Sequence, residues 1–206
     1  MNLIENIHSR YVHGRRVHRL CELLAQQLPL NAKVLDVGAG DGWLDYLIQQ
    51  KRPDVQIRGV DVLIREKTHV PVTLFDGKTL TAPDQSYDVV LFVDVLHHTE
   101  DPMVLLREAR RVMRHSILIK DHNADGLFAH ATLRFMDGIG NRRHNVALPH
   151  NYWPAKKWDA AFDSLGLFAV ENQTSLKLYP WPASVPFDRK LQFIARLEQR
   201  TETSPP

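Results

Sequence analysis

The chain has 206 residues, enough for one domain with a substantial core and short for two. Hydrophobic residues make up 44% and charged residues 24%, the balance of a soluble globular protein, and a net charge of +2 from scattered basic residues argues against a nucleic-acid partner. The single cysteine, Cys21, cannot close an internal disulfide, no Cys/His spacing reads as a zinc site, and no apolar run approaches the roughly 20 residues of a membrane span. The expectation is a cytoplasmic protein with no metal and no membrane partner.

In chain order, Val17, Leu20, Cys21, Leu24 and Leu28 have helical spacing, and Pro29 ends that helix. A strand over Val34–Val37 leads into three alternating glycines, Gly38, Gly40 and Gly42, and then into a helix burying Leu44, Leu47 and Ile48. Strands follow over about Gln56 to Val60, ending at Asp61, and over Val72 to Phe75, ending at Asp76. "YDVVLFVD" reads as a central parallel strand, apolar on both faces. Pro102 opens a helix through Leu105, Leu106, Ala109 and Met113, and "SILIK" is the fifth strand. Residues 123–153 show an irregular pattern rich in His, Arg and aromatics. A helix over Pro154–Leu165 with Gly166 as its stop precedes two last strands, Leu167–Leu178 and Leu191–Leu197. Strands alternating with helices predict a doubly wound α/β sheet.

In such a sheet the glycine loop lies at the ligand crevice. It fits a dinucleotide poorly. The sixth position of G-x-G-x-x-G is Trp43, and Asp41 would repel a pyrophosphate at the following helix N-terminus. Carboxylates at Asp36 and Asp41 suit a cationic ligand better.

"VLDVGAGDG", "GVDV", "FDGKTLTAPDQSYDVVLFVDVLHHTEDP" and "LLREARRVMRHSILIKDH" occur in that order. This series resembles the class I S-adenosylmethionine-dependent methyltransferases over roughly residues 30–122. The resemblance implies a single Rossmann-like sheet of about seven strands, mostly parallel with an antiparallel final strand, and helices on both faces. It divides the one domain into a helical cover (1–29), a cofactor core (30–122), an irregular substrate cap (123–153), a C-terminal helix with the last two strands (154–200) and a tail (201–206). It also implies the cofactor contacts. Gly38, Ala39 and Gly40 let backbone approach the methionine moiety, and Asp36 favours its ammonium. Asp61, 25 residues after Asp36, takes the ribose hydroxyls with Val62 beside it. Asp76 accepts from the adenine amino group and Gly77 leaves room for the ring. Val93 and Asp94 border cofactor and substrate, and Tyr11 or Arg15 covers the methionine carboxylate.

Methyl transfer from a sulfonium is chiefly a positioning task, helped by a base if the acceptor carries a proton. His97 and His98 after strand four, and Asp121 and His122 after strand five, lie at strand ends, and His98 and His122 are the catalytic candidates. Arg143, Tyr152 and Trp153 are candidate substrate contacts, beside Arg134, Arg142 and His144. Tyr152 and Trp153 could equally staple the segment to the core. Gly138 and Gly140 would let the cap hinge. Asp94-Val95-Leu96-His97 replaces the D/N-P-P-Y/F of amino-methylating enzymes for adenine or glutamine. A small-molecule acceptor is expected, with O, N or C as the methylated atom. The rival readings are a nicotinamide-dependent oxidoreductase and a non-catalytic module that binds the cofactor or a partner.

Overall fold

A computed structural model describes residues 3–141 and 149–200, with side chains over 14–138 and 149–200. Seven strands form one sheet: β1 (Lys33–Val37), β2 (Gln56–Asp61), β3 (Val72–Leu74), β4 (Tyr87–Val93), β5 (Met113–His122), β6 (Leu167–Gln173) and β7 (Gln192–Gln199). Their order is β3-β2-β1-β4-β5-β7-β6. β3, β2, β1, β4 and β5 pair in parallel, and β7 is antiparallel to both β5 and β6. The helices are α1 (Leu3–Gln27), α2 (Trp43–Lys51), α3 (Pro102–Val112), α4 (Ala129–Asn141), α5 (Ala155–Ser164) and the short α6 (Ser184–Phe187).

β4 shows why the sheet is covered twice. Its side chains alternate across the sheet. Val89 and Leu91 pack with Leu20 and Leu24 of α1, Leu28 just after it and Ile48 of α2. Val90 and Phe92 pack with Leu105, Leu106 and Ala109 of α3 and Trp158 and Phe162 of α5. Pro102 begins α3 and the Asp101 carboxylate accepts the Met103 N–H at 3.0 Å, so both start signals are used.

α1 reaches back at least to Leu3, inside the segment expected as a helical cover. Two expectations change. β6 ends at Gln173; Leu176 and Leu178 are buried against the α1 face from a non-strand segment. Residues 123–153 are not irregular throughout, because α4 occupies Ala129–Asn141 and buries Ala129, Leu133 and Asp137 at helical spacing. Gly138 and Gly140 fall inside that helix, so they are not loop hinges.

Candidate active site

The strand order reverses between β1 and β4, which pair directly. The loop after β1 and the turn after β4 therefore flank the crevice of a doubly wound sheet. The N–H groups of the three loop glycines, Ala39 and Trp43 are bonded within the protein. Those of Gly38 and Ala39 donate to the Val60 carbonyl at 2.7 and 3.2 Å, and that of Gly42 to the Ala39 carbonyl at 2.9 Å. The Gly40 N–H donates to Asp61 Oδ2 at 2.8 Å, and the Trp43 N–H to Asp41 Oδ1 at 3.1 Å. A phosphate needs such donors free. This loop instead offers carboxylates and bare Cα surface. Gly40 sits at φ +60 with nothing within 4 Å of where a Cβ would stand, whereas a Cβ at Gly38 would collide with Val95.

Asp36 is 4% exposed, and its Oδ1 has no partner among the described residues. Burial, with Asp61 adding repulsion, pushes its pKa up to about 7, against the lowering influence of Asp45. Asp45, wholly buried on α2, was not singled out from sequence. Burial and the Asp36 charge raise it well above the carboxylate range. An orphaned acceptor oxygen beside an open glycine cradle fits an ammonium-bearing cofactor. Asp61 also takes the Leu63 N–H on Oδ1 at 2.9 Å and keeps lone pairs for two hydroxyls. Val62 is exposed, and a Cβ at Gly77 would stand 3.2 Å from Val62 Cγ1, so the glycine lets these two segments meet. Asp76 closes its own turn, Oδ1 accepting the Lys78 and Thr79 N–H groups at 2.7 Å each, and these bonds lower its pKa.

Val93 packs against the α1-side core, and Asp94, at φ +58, ion-pairs with both Arg16 and Lys120. Burial opposes ionisation of Asp94, but these two cations hold its pKa below the usual carboxylate range. Lys120 has no solvent exposure; burial lowers its pKa and Asp94 limits the fall. Arg16, rather than the exposed Arg15, points into the site, and its Nε is buried without a partner among the described residues. The side chains of Tyr11, Arg142, Arg143 and His144 lie outside the described residues.

The two catalytic candidates come together with residues that sequence spacing could not join. His97 and His98 lie on a single 3-10 turn, Leu96–His98. His97 Nδ1 is 2.6 Å from Asp121 Oδ1, whose other oxygen accepts the Leu96 N–H at 3.0 Å. His97 Nε2 is 3.3 Å and His98 Nε2 3.8 Å from Asp137 Oδ2 of α4. Burial works against a charged His97, but Asp121 and Asp137 prevail and its pKa rises to about 10. Burial and the His97 charge push His98 down to about 4. They also lower His122, which stands with Nδ1 3.5 Å from Asp121 Oδ1 and 3.8 Å from Asp94 Oδ1.

Tyr152 and Trp153, both about 5% exposed or less, are packed. The Tyr152 hydroxyl donates to Asp137. Trp153 joins the main core, its ring 4.8 Å from that of Trp158 and its Nε1 donating to Asn151 Oδ1 at 2.9 Å. Of the two roles open to Trp153, the staple is the one its surroundings serve.

Residues 8–172 match the family model described as a methyltransferase domain. The chain is 31% identical over 131 residues to 27-O-demethylrifamycin SV methyltransferase of Amycolatopsis mediterranei (strain S699), covering 53% of this chain and 48% of that protein. It is 44% identical over 48 residues to ribosomal RNA small subunit methyltransferase G of Nocardioides sp., covering 23% and 19%. The chain thus spans half or less of the length of these curated relatives. A Haloferax volcanii methyltransferase, solved with the Trm112 methyltransferase activator, superposes with a TM-score of 0.65 at 13% identity over 89% of this chain and 90% of that one.

Proposed function

Since the chain belongs to the methyltransferase-domain family, we propose that it transfers the methyl group of S-adenosylmethionine to a small-molecule acceptor at the carboxyl ends of β4 and β5. The carrying observation is the glycine loop, whose glycine and Ala39 amides are bonded within the protein while Asp36 Oδ1 is left without a partner among the described residues and Asp61 keeps free lone pairs. When bound, the cofactor supplies an electrophilic methyl group on a sulfonium. Asp36 Oδ1 would hold the ammonium, Arg16 Nε the carboxylate and Asp61 the ribose hydroxyls, with Val62 as the candidate contact for the adenine. Asp76 uses the oxygen not engaged in its turn for the adenine amino group, with Gly77 beside it. Gly38, Ala39, Gly40 and Val93 line the methionine end.

His122 is the proton acceptor we favour over His98. It is buried at the end of β5, and Asp94 and Asp121 orient its Nδ1 side. An apolar acceptor body is supported by the exposed Leu127, Phe128 and Phe135 around α4, where the Phe135 ring stands 6.3 Å from that of Phe187. Arg143, outside the described residues, is kept as a candidate contact for an anionic group.

Calorimetry with S-adenosylhomocysteine and with NAD tests the cofactor: the first binds and the second does not, and the reverse order refutes the reading. The rRNA-modifying relative makes a nucleic acid the second acceptor class. Radiolabelled methyl transfer to hydroxyl-bearing aromatic compounds, against transfer to 16S rRNA, separates the two. With a true acceptor in hand, His122→Gln lowers kcat with little change in cofactor affinity.

A further inference from the structure

We propose that His97, His98 and Asp137 form a binding site for a divalent transition-metal ion of the zinc or iron(II) class. Two imidazoles and one carboxylate are a donor set suited to such ions. The Nε2 atoms of His97 and His98 and the carboxylate oxygen of Asp137 all lie within 4.8 Å of one another. Ligands about 2.0–2.2 Å from one ion at roughly tetrahedral angles stand about 3.4 Å apart. The 3.3 Å between His97 Nε2 and Asp137 Oδ2 meets that spacing, and the 3.8 Å from His98 Nε2 needs only a small closure.

A second, independent feature points the same way. His97 is 1% exposed, and its Nε2, 3.3 Å from Asp137 Oδ2, makes no well-formed hydrogen bond among the described residues, so a bound ion displaces only the proton that this nitrogen shares with the carboxylate. Its opposite nitrogen, Nδ1, is held at 2.6 Å by Asp121. A ligating histidine commonly gives its remaining N–H to a carboxylate, which fixes the ring and raises its basicity. Asp137 is supported likewise by the Tyr152 hydroxyl. The alternative cluster of His97, Asp121 and His122 does not qualify. There the 2.6 Å from His97 Nδ1 to Asp121 is a hydrogen bond, too short for two ligands around one ion.

Three protein ligands leave a coordination position open, and the His98 side chain is 21% exposed, so that position can meet solvent or an acceptor oxygen. The use of the ion on an acceptor rests on the methyl-transfer reading; its binding does not.

The test uses the full, untagged chain without cofactor. Zn²⁺ alone is titrated by calorimetry, and Co²⁺ alone by visible absorption. One ion per chain is expected, with Co²⁺ bands of a four- or five-coordinate site. His98→Ala and Asp137→Asn each lose at least about tenfold in affinity while the thermal transition is retained. His98 is the primary target because His97 is buried and its removal also perturbs the fold. His115→Ala, an exposed histidine at the start of β5, leaves affinity unchanged. No binding at millimolar ion, full affinity in His98→Ala, or affinity lost in His115→Ala each overturns the site. S-adenosylhomocysteine binding to the metal-free chain reports separately on the methyl-donor reading.

Discussion

Gly40→Ala separates the two tasks of the glycine loop. Gly40 holds φ +60, and no atom lies within 4 Å of the position its Cβ would take. In the free protein the new methyl therefore meets no neighbour, and the penalty is conformational. A left-handed backbone costs an alanine about 1–2 kcal/mol. Loss of glycine's freedom in the unfolded chain returns about 0.4–1 kcal/mol. The net loss is about 1 kcal/mol, and for a chain of this size Tm falls by about 2–4 °C. Cofactor binding suffers differently, because the methyl stands in the open cradle. Overfilling a packed contact costs about 1–3 kcal/mol, so Kd for S-adenosylhomocysteine rises between about 5-fold and 150-fold. Gly42→Ala inverts the pattern: its Cβ would stand 2.6 Å from Val70 Cγ2, so stability falls further. Scanning calorimetry and isothermal titration on both variants make the comparison. A Gly40→Ala protein that binds with unchanged Kd refutes the assignment of the cradle.

Asp36→Asn tests the raised pKa of the buried carboxyl. A carboxyl near 7 in the folded chain and near 4 unfolded binds its proton more tightly when folded, so the wild type loses stability as pH rises from about 4 to about 7. The variant loses that part of the slope, gains in relative Tm at pH 8, and binds the cofactor more weakly; an unchanged Tm-against-pH curve refutes the shift. Arg52 donates to the Ala25, Leu28 and Pro29 carbonyls at 2.8, 3.0 and 2.9 Å, closing the end of α1. Arg52→Ala lowers stability by about 2 kcal/mol, about 4–8 °C in Tm, with cofactor affinity intact by titration. Trp153→Ala loses about 3–5 kcal/mol through its place beside Trp158, measured by urea unfolding. A normal unfolding curve with a raised acceptor KM would return Trp153 to the substrate site.

Elements whose signals are local could be read from the chain. The apolar run of β4, Pro102 with its Asp101 cap and the alternating glycines each specify backbone within a few residues. α4 was obscured because Gly138, Gly140, His130 and Arg134 interrupt a stripe whose buried members among the described residues are Ala129, Leu133 and Asp137. Asp137 and Asp45 were missed for one reason: a carboxylate on an amphipathic helix reads as solvated unless the opposite wall is known. Asp137 meets His97 from 40 positions earlier in the chain, and Asp45 meets Asp36 only because α2 folds back over β1. Lys120 and Asp94 stand 26 residues apart and touch because β4 and β5 are neighbours, a pairing that no spacing rule contains.

The placement of β7 governs the order in which the chain completes itself during synthesis. β5 pairs with β4 on one side, but its other edge is filled only by Gln192–Glu198. Until that segment leaves the ribosome, β5 presents a ten-residue, mostly buried-type edge with free amides and carbonyls. Such an edge invites pairing with another nascent chain. The nascent protein therefore has its greatest need of chaperone protection late, after nearly all of its core residues have been made. A ribosome stalled just before residue 192 should display an aggregation-prone intermediate, and one stalled with β7 exposed should not.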